Sequence, residues 1–218
     1  MEPIYKNLIT ADWITITLFS SVLFLVVAKS LFYTRFLNFI ILPFNNKYLF
    51  MYNKKDKLLN WFHIFFTVFQ LLNFSLFLYY AQYIILRTGT TPYPHMYIII
   101  LGLWMLFLLT KIFLQLGNGF VFNNNRNISE FIFKKLSYLN YSGLIMFLAN
   151  VILTYVIKDS QTVLFISIFL IILINAVGWF TILKNHQKYI ATHFFYFILY
   201  LCALEIAPFV IIANYLKV

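Results

Sequence analysis

One cysteine, six acidic residues, six glycines and five prolines among 218 residues exclude several kinds of protein at once. A single thiol, Cys202, permits no disulfide within the chain and no paired-cysteine redox or metal motif. Charged residues make up only 10% of the chain, against about a quarter in soluble domains. No phosphate-cradling glycine loop, dinucleotide fingerprint, HExxH helix or nucleophile elbow occurs, so no catalytic residue, metal-ligand set or cofactor is assigned. What the chain does contain is apolar: 63% hydrophobic residues, 22% aromatic, mean hydropathy +0.86. This composition predicts an all-α integral membrane protein, because runs of about 20 apolar residues cross the roughly 30 Å hydrocarbon layer as helices.

Six such runs are expected to form a single transmembrane domain over 1–218, at about 13–32, 58–85, 96–116, 140–157, 163–183 and 194–215. No small-x-small cleavage pattern follows the first run, so that span is expected to stay attached. Phe36 to Phe44 is apolar but too short to span, and Pro43 with Asn45 and Asn46 turns the chain, so an interfacial segment is expected there. Gly117 and Gly119 are expected to end the third span. Asn127, with Glu130 three residues on, has the form of a capping box and predicts a separate short surface helix before the fourth span. Lys54-Lys55 followed by Asn60-Trp61 recurs in spacing as Lys134-Lys135 followed by Asn140-Tyr141, the pattern of a duplicated hairpin or of interfacial composition alone.

Polar groups inside these runs are the candidate site residues. Glu205 lies mid-run, three residues before Pro208, which cannot donate to the carbonyl of Leu204. An acid at that depth needs a partner or a proton, and serves either as a structural clamp or as a functional group. At 1.5 Å per residue Glu205 lies roughly 17 Å and Lys111 about 8 Å from the basic-side ends of their spans. Their side chains lean toward each other, which makes Lys111 the expected partner, with Lys29 second and Asn150 or Asn175 as hydrogen-bond alternatives. Asn150 and Asn175 are also expected to face the bundle and tie helices together. His63 and His193 each lie near the basic-side ends of their spans; two such imidazoles suit haem, but interfacial histidines among aromatics account for both without a cofactor.

The closing FYFILYLCALEIAPFVIIANYLK, the early DWITITLFSSVLFLVVAKSLF and the LPFNNKYLFMYNKKDKLLNWFHIFF segment resemble an uncharacterised domain-of-unknown-function family of polytopic inner-membrane proteins of Bacteroidota. The most specific shared element is matched by Tyr200, Leu201, Cys202, Leu204, Glu205 and Pro208. The resemblance implies a multi-pass protein of the cell inner membrane and assigns no activity. The role expected on these grounds is a non-enzymatic accessory or assembly subunit of a cell-envelope complex. A small proton-coupled transporter using Glu205 is the alternative, and a membrane enzyme acting on lipid, with polar groups such as His63, Lys111, Gln115 and His193 at the interface, is third. The bilayer, anionic lipid at the basic loops and a membrane-protein complex are the expected partners.

The net charge of +10 falls in short basic clusters between apolar runs, so it reports threading and not nucleic-acid binding. Arg35, Lys47, Lys54, Lys55, Lys57, Arg126, Lys134, Lys135, Lys184 and Lys188 fall on one side, and Lys6, Arg87, Lys158 and Lys217 on the other. Since cytoplasmic loops carry the excess of Lys and Arg, ten against four puts both termini outside the cytoplasm. Reporter fusions at Lys55, Arg126 and Lys188 should therefore read as cytoplasmic, and fusions after Thr91 and at the C-terminus as extracytoplasmic. A cytoplasmic C-terminus would sink the six-span threading.

Overall fold

The computed structural model describes residues 9–45, 47–52, 60–86, 94–121, 125–158 and 160–185, and these are helical wherever they are regular. In chain order the helices are α1 (Ile9–Leu31), α2 (Tyr33–Ile40), α3 (Lys47–Tyr52), α4 (Trp61–Leu86), α5 (Pro94–Val121), α6 (Asn125–Val151), a π-helical turn (Ile152–Val156) and α7 (Gln161–Asn185). Five of them, α1, α4, α5, α6 with its π turn, and α7, are long and apolar enough to cross a membrane. The sixth expected span, 194–215, lies outside the described residues. The chain divides into two compact units, Met1–Gly178 and Trp179–Val218; within the second, the described residues are the last turns of α7.

In the first unit α4 and α6 share the largest interface, with α1 and α5 against α4. The helices alternate in direction. Trp13, near the start of α1, meets Tyr79 near the end of α4 at 5.2 Å and Tyr97 near the start of α5 at 5.3 Å between ring centroids. At the other end Phe32, just past α1, lies 6.1 Å from Phe62 in the first turn of α4. Side-chain bonds pair Thr67 with Asn140 and Tyr80 with Thr154, so α4 and α6 run parallel, as alternate crossings must.

Two apolar clusters fill this unit. One joins the start of α1, the end of α4, the start of α5, the end of α6 and the start of α7, through Leu18, Leu76, Tyr79, Tyr97, Leu153 and Leu164. The other joins the end of α1 and the starts of α4 and α6 to the short helices, through Ala28, Phe39, Tyr48, Phe62, Phe66 and Phe133. The expected interfacial segment is therefore two short helices seated on the end of the bundle. Phe36 and Phe39 of α2 are buried three residues apart, while Leu37 and Ile40 are exposed, which fits a helix lying along an apolar boundary.

Two expected boundaries are corrected. α5 continues through Gly117 and Gly119 to Val121. A helical glycine costs only about 1 kcal/mol relative to alanine, and with no proline following, the backbone ladder simply continues. The separate surface helix expected from Asn127 is the first part of one unbroken helix from Asn125 to Val151, so Asn127 is inside the helix and does not cap it. No proline or glycine interrupts residues 125–142, and Ile132, Phe133, Ser137 and Asn140 bury one face of the junction against the rest of the unit.

Glycine permits the closest helix approaches. A Cβ placed on Gly143 of α6 falls 3.0 Å from both Cα and Cβ of Gln70 on α4. One placed on Gly178 of α7 falls 2.6 Å from Cγ of Tyr138, so only glycine fits there without displacing the ring.

Candidate functional site

Thr67, Gln70, Asn73 and Tyr80 fall on one face of α4 and meet Asn140, Gly143, Asn150 and Thr154 of α6, forming a polar seam through the apolar unit. In hydrocarbon such groups must bond to one another or to backbone. Thr154 donates through Oγ1 to the Asn150 carbonyl at 2.6 Å, which uses its only proton. The Tyr80 hydroxyl, 2.7 Å from the same Oγ1, is therefore the donor in that pair. Asn150 Nδ2 crosses to the Asn73 carbonyl at 2.9 Å, and Asn73 Nδ2 bonds the Phe69 carbonyl of its own helix at 2.8 Å. Farther along, Asn140 Nδ2 reaches Thr67 Oγ1 at 3.3 Å. The π turn at the end of α6, closed by Ile157 N to Ile152 O at 2.9 Å, contains Thr154.

The seam is not fully satisfied from the side chains around it. Gln70 is completely buried, and its Oε1 and Nε2, together with Asn73 Oδ1 and Asn150 Oδ1, have no hydrogen-bond partner among the described residues. Three of those four atoms are acceptors, so what the seam lacks is chiefly donors.

The basic side chains gather at the end where α2 and α3 dock. His63 is 2% exposed; its Nε2 lies 3.1 Å from the Tyr48 hydroxyl of α3, and the edge of Phe133 on α6 closes against its ring at 4.6 Å. Arg35 of α2 lies 4.5 Å over the Tyr52 ring of α3, and Lys29 5.9 Å over Phe36. Lys111 of α5 sits 5.5 Å over the Phe107 ring. Gln115, one turn beyond Lys111, is buried. Lys134 is buried and feels Glu130 one turn earlier on α6, the favourable order for such a pair.

Glu205, Pro208 and His193 lie outside the described residues, and with them the expected pairing of Glu205 with Lys111. Lys29 is exposed at the end of α1 and Lys111 is half-buried. Asn150 forms an interhelical bond, whereas Asn175 turns back to the Ile171 carbonyl of its own helix at 2.8 Å and is only partly buried. An isolated amide in a helix can close on the carbonyl four residues earlier, which sequence alone does not distinguish from a bond across helices. His63 is engaged by Tyr48, and no group of three or more His, Cys, Asp or Glu placed to hold a metal occurs among the described residues. Sequence reasoning missed the roles of Tyr80 and Thr154; the available signal was the i, i+4 spacing of Asn150 and Thr154 beside the seven-residue spacing of Asn73 and Tyr80.

Residues 14–216 match a family described as a domain of unknown function (DUF4271), and the chain belongs to that family. No curated protein and no solved structure matches the chain.

The seam bonds can be measured directly. In a double-mutant cycle of Tyr80→Phe and Thr154→Val, unfolding free energies in detergent or lipid should show a coupling of about 0.5–1.5 kcal/mol, the range of interhelical hydrogen bonds in membranes. Strict additivity would mean the 2.7 Å contact contributes nothing.

Proposed function

We propose that this DUF4271 protein is a six-span, multi-pass protein of the inner membrane of Bacteroidota that acts without catalysis, as an accessory or assembly subunit of a cell-envelope complex. The single observation that carries the reading is how the buried polar groups are used. Asn150, Tyr80, Thr154, Thr67 and Asn140 bond helix to helix along the α4–α6 seam, so these polar groups are committed to holding the bundle together. α5 and α7 then present long apolar faces outward, including Ile98, Leu106 and Phe113 on α5 and Phe165, Phe169 and Ile172 on α7. Such faces suit lipid and the helices of a partner equally well. Both termini lie outside the cytoplasm in this reading, and the alternating helix directions together with the basic end near α2 and α3 support that orientation.

A second reading, a small proton-coupled transporter using Glu205, draws support from the buried Gln70, Asn73 and Asn150 atoms that lack donors, since a polar path through a bundle requires such groups. Affinity purification of the tagged, full-length protein from native membranes separates the two readings. The assembly reading expects a second membrane protein in near-stoichiometric amount that survives a salt wash. Recovery as a lone monomer or homodimer would overturn it in favour of transport.

A further inference from the structure

Three amides of the α4–α6 seam keep open atoms deep in the first unit: Gln70 at Oε1 and Nε2, Asn73 at Oδ1 and Asn150 at Oδ1. Gln70 and Asn150 are fully buried and Asn73 is 1% exposed. The bonds the two asparagines make fix their orientation. In each, Nδ2 faces a backbone carbonyl, of Phe69 or of Asn73, which only an N–H can satisfy, so the oxygen is the open atom.

The hydroxyls of the seam and of the serines near it on α4 and α6 have already given their protons. Thr154 donates to the Asn150 carbonyl, and Tyr80 to Thr154. Thr67 is paired with Asn140. Ser75, Ser137 and Ser142 donate to carbonyls of their own helices at 2.8, 2.8 and 2.6 Å. Bulk solvent does not reach this level. Asn73 is the midpoint of the apolar stretch Trp61–Ile85, about 18 Å from either end at 1.5 Å per residue, and Asn150 is held beside it by the 2.9 Å bond to the Asn73 carbonyl. Hydrocarbon offers no donor, so the open atoms must be answered from inside the bundle.

Gln70 decides the chemistry of what answers them. Its two open atoms are an acceptor and a donor, so the occupant must both donate and accept. A metal cation would satisfy the oxygens and leave Nε2 unanswered, and an anion would answer Nε2 alone. Water does both, and it is the smallest such ligand, as suits two helices that approach closely at Gln70 and Gly143.

We propose that ordered water is held between α4 and α6 at the middle of the membrane, donating to Gln70 Oε1, Asn73 Oδ1 and Asn150 Oδ1 and accepting from Gln70 Nε2. Three open acceptors need three O–H bonds and one water has two, so more than one molecule is held. The seam is then a hydrated joint, with the direct pairs Thr67–Asn140 and Tyr80–Thr154 on either side of a water-bridged centre. This site rests on neither functional reading above, since it requires only that α4 and α6 cross a bilayer.

Radiolytic hydroxyl-radical labelling of the full-length protein in lipid nanodiscs tests it, because radicals formed from a bound water modify the side chains beside that water. Met146 is the reporter: it is 1% exposed and stands on α6 between Gly143 and Asn150. Met105, 48% exposed within the apolar stretch of α5, is the reference for a methionine facing acyl chains. Despite its burial, Met146 should be oxidised roughly fivefold or more faster than Met105. Gln70→Leu with Asn73→Leu removes three of the four open atoms and should bring Met146 down to the Met105 rate. Ser75→Ala, whose hydroxyl bonds the Leu71 carbonyl, should leave Met146 labelling unchanged. Circular dichroism and size exclusion check the variants, and if the leucine pair misfolds the comparison within wild type decides alone. Wild-type Met146 oxidised no faster than Met105 overturns the proposal, as does undiminished labelling in the folded leucine pair. An unlabelled Met146 together with a melting temperature raised by sodium or potassium at constant ionic strength would also overturn it, by giving the oxygens to a cation. Finding or failing to find a protein partner does not alter Met146 labelling, so this proposal and the assembly reading fail separately.

Discussion

Hydrocarbon offers no hydrogen bonds, so a helix carrying Thr67, Gln70, Asn73 and Tyr80 along one face is stable in a bilayer only beside another that answers them. α6 does so with Asn140, Asn150 and Thr154, and with Gly143 where the backbones come closest. The arrangement is directional as well as attractive. Pairing Thr67 with Asn140 at one end and Tyr80 with Thr154 at the other fixes both the parallel sense and the register of the two helices. Once that pair is set, α1 and α5 can only pack antiparallel to α4, and the two aromatic clusters form at the ends where the chain reverses. Lipid does not drive apolar helices together, because its tails are as apolar as leucine; packing and polar complementarity must do it.

The two ends of the first unit use aromatics differently. At the end where α1 begins, Trp13 wedges between Tyr79 and Tyr97 and closes three helices around one ring. At the basic end, rings join short helices to long ones: Phe39 of α2 packs against Phe62 and Phe66 of α4, and Tyr48 of α3 stacks nearly parallel to Phe133 of α6. The Tyr48–His63 bond then gives α3 a polar attachment beneath that apolar contact. Cations of this end lie over rings, as with Arg35 on Tyr52 and Lys111 on Phe107, which suits a chain with six acidic residues and sixteen lysines and arginines.

Much of this was legible in the sequence, because the bilayer imposes a long apolar run on every crossing. Five expected spans correspond to helices, and the short segment after the first span forms two short helices. The misreadings share a cause. Gly117, Gly119 and the Asn127–Glu130 pair are local stop and start signals, and at α5 and α6 an uninterrupted hydrogen-bond ladder and buried side chains outweigh them. Asn150 and Asn175 look alike as lone amides in apolar runs, yet one bonds across helices and the other to its own backbone, a difference set by rotation about the helix axis relative to neighbours.

The central claim, that α4 and α6 form a parallel pair in the registry of the polar seam, is tested most directly by cross-linking in native membranes. In a Cys202→Ser background, Gln70→Cys with Gly143→Cys places two thiols where Cβ atoms lie 3.0 Å apart, within a small shift of the roughly 3.5–4.5 Å a disulfide needs. A membrane-permeable oxidant should close that bond rapidly. Gln70→Cys with Leu148→Cys, whose leucine is 60% exposed, should remain reduced. A disulfide in the second pair and none in the first would contradict the account.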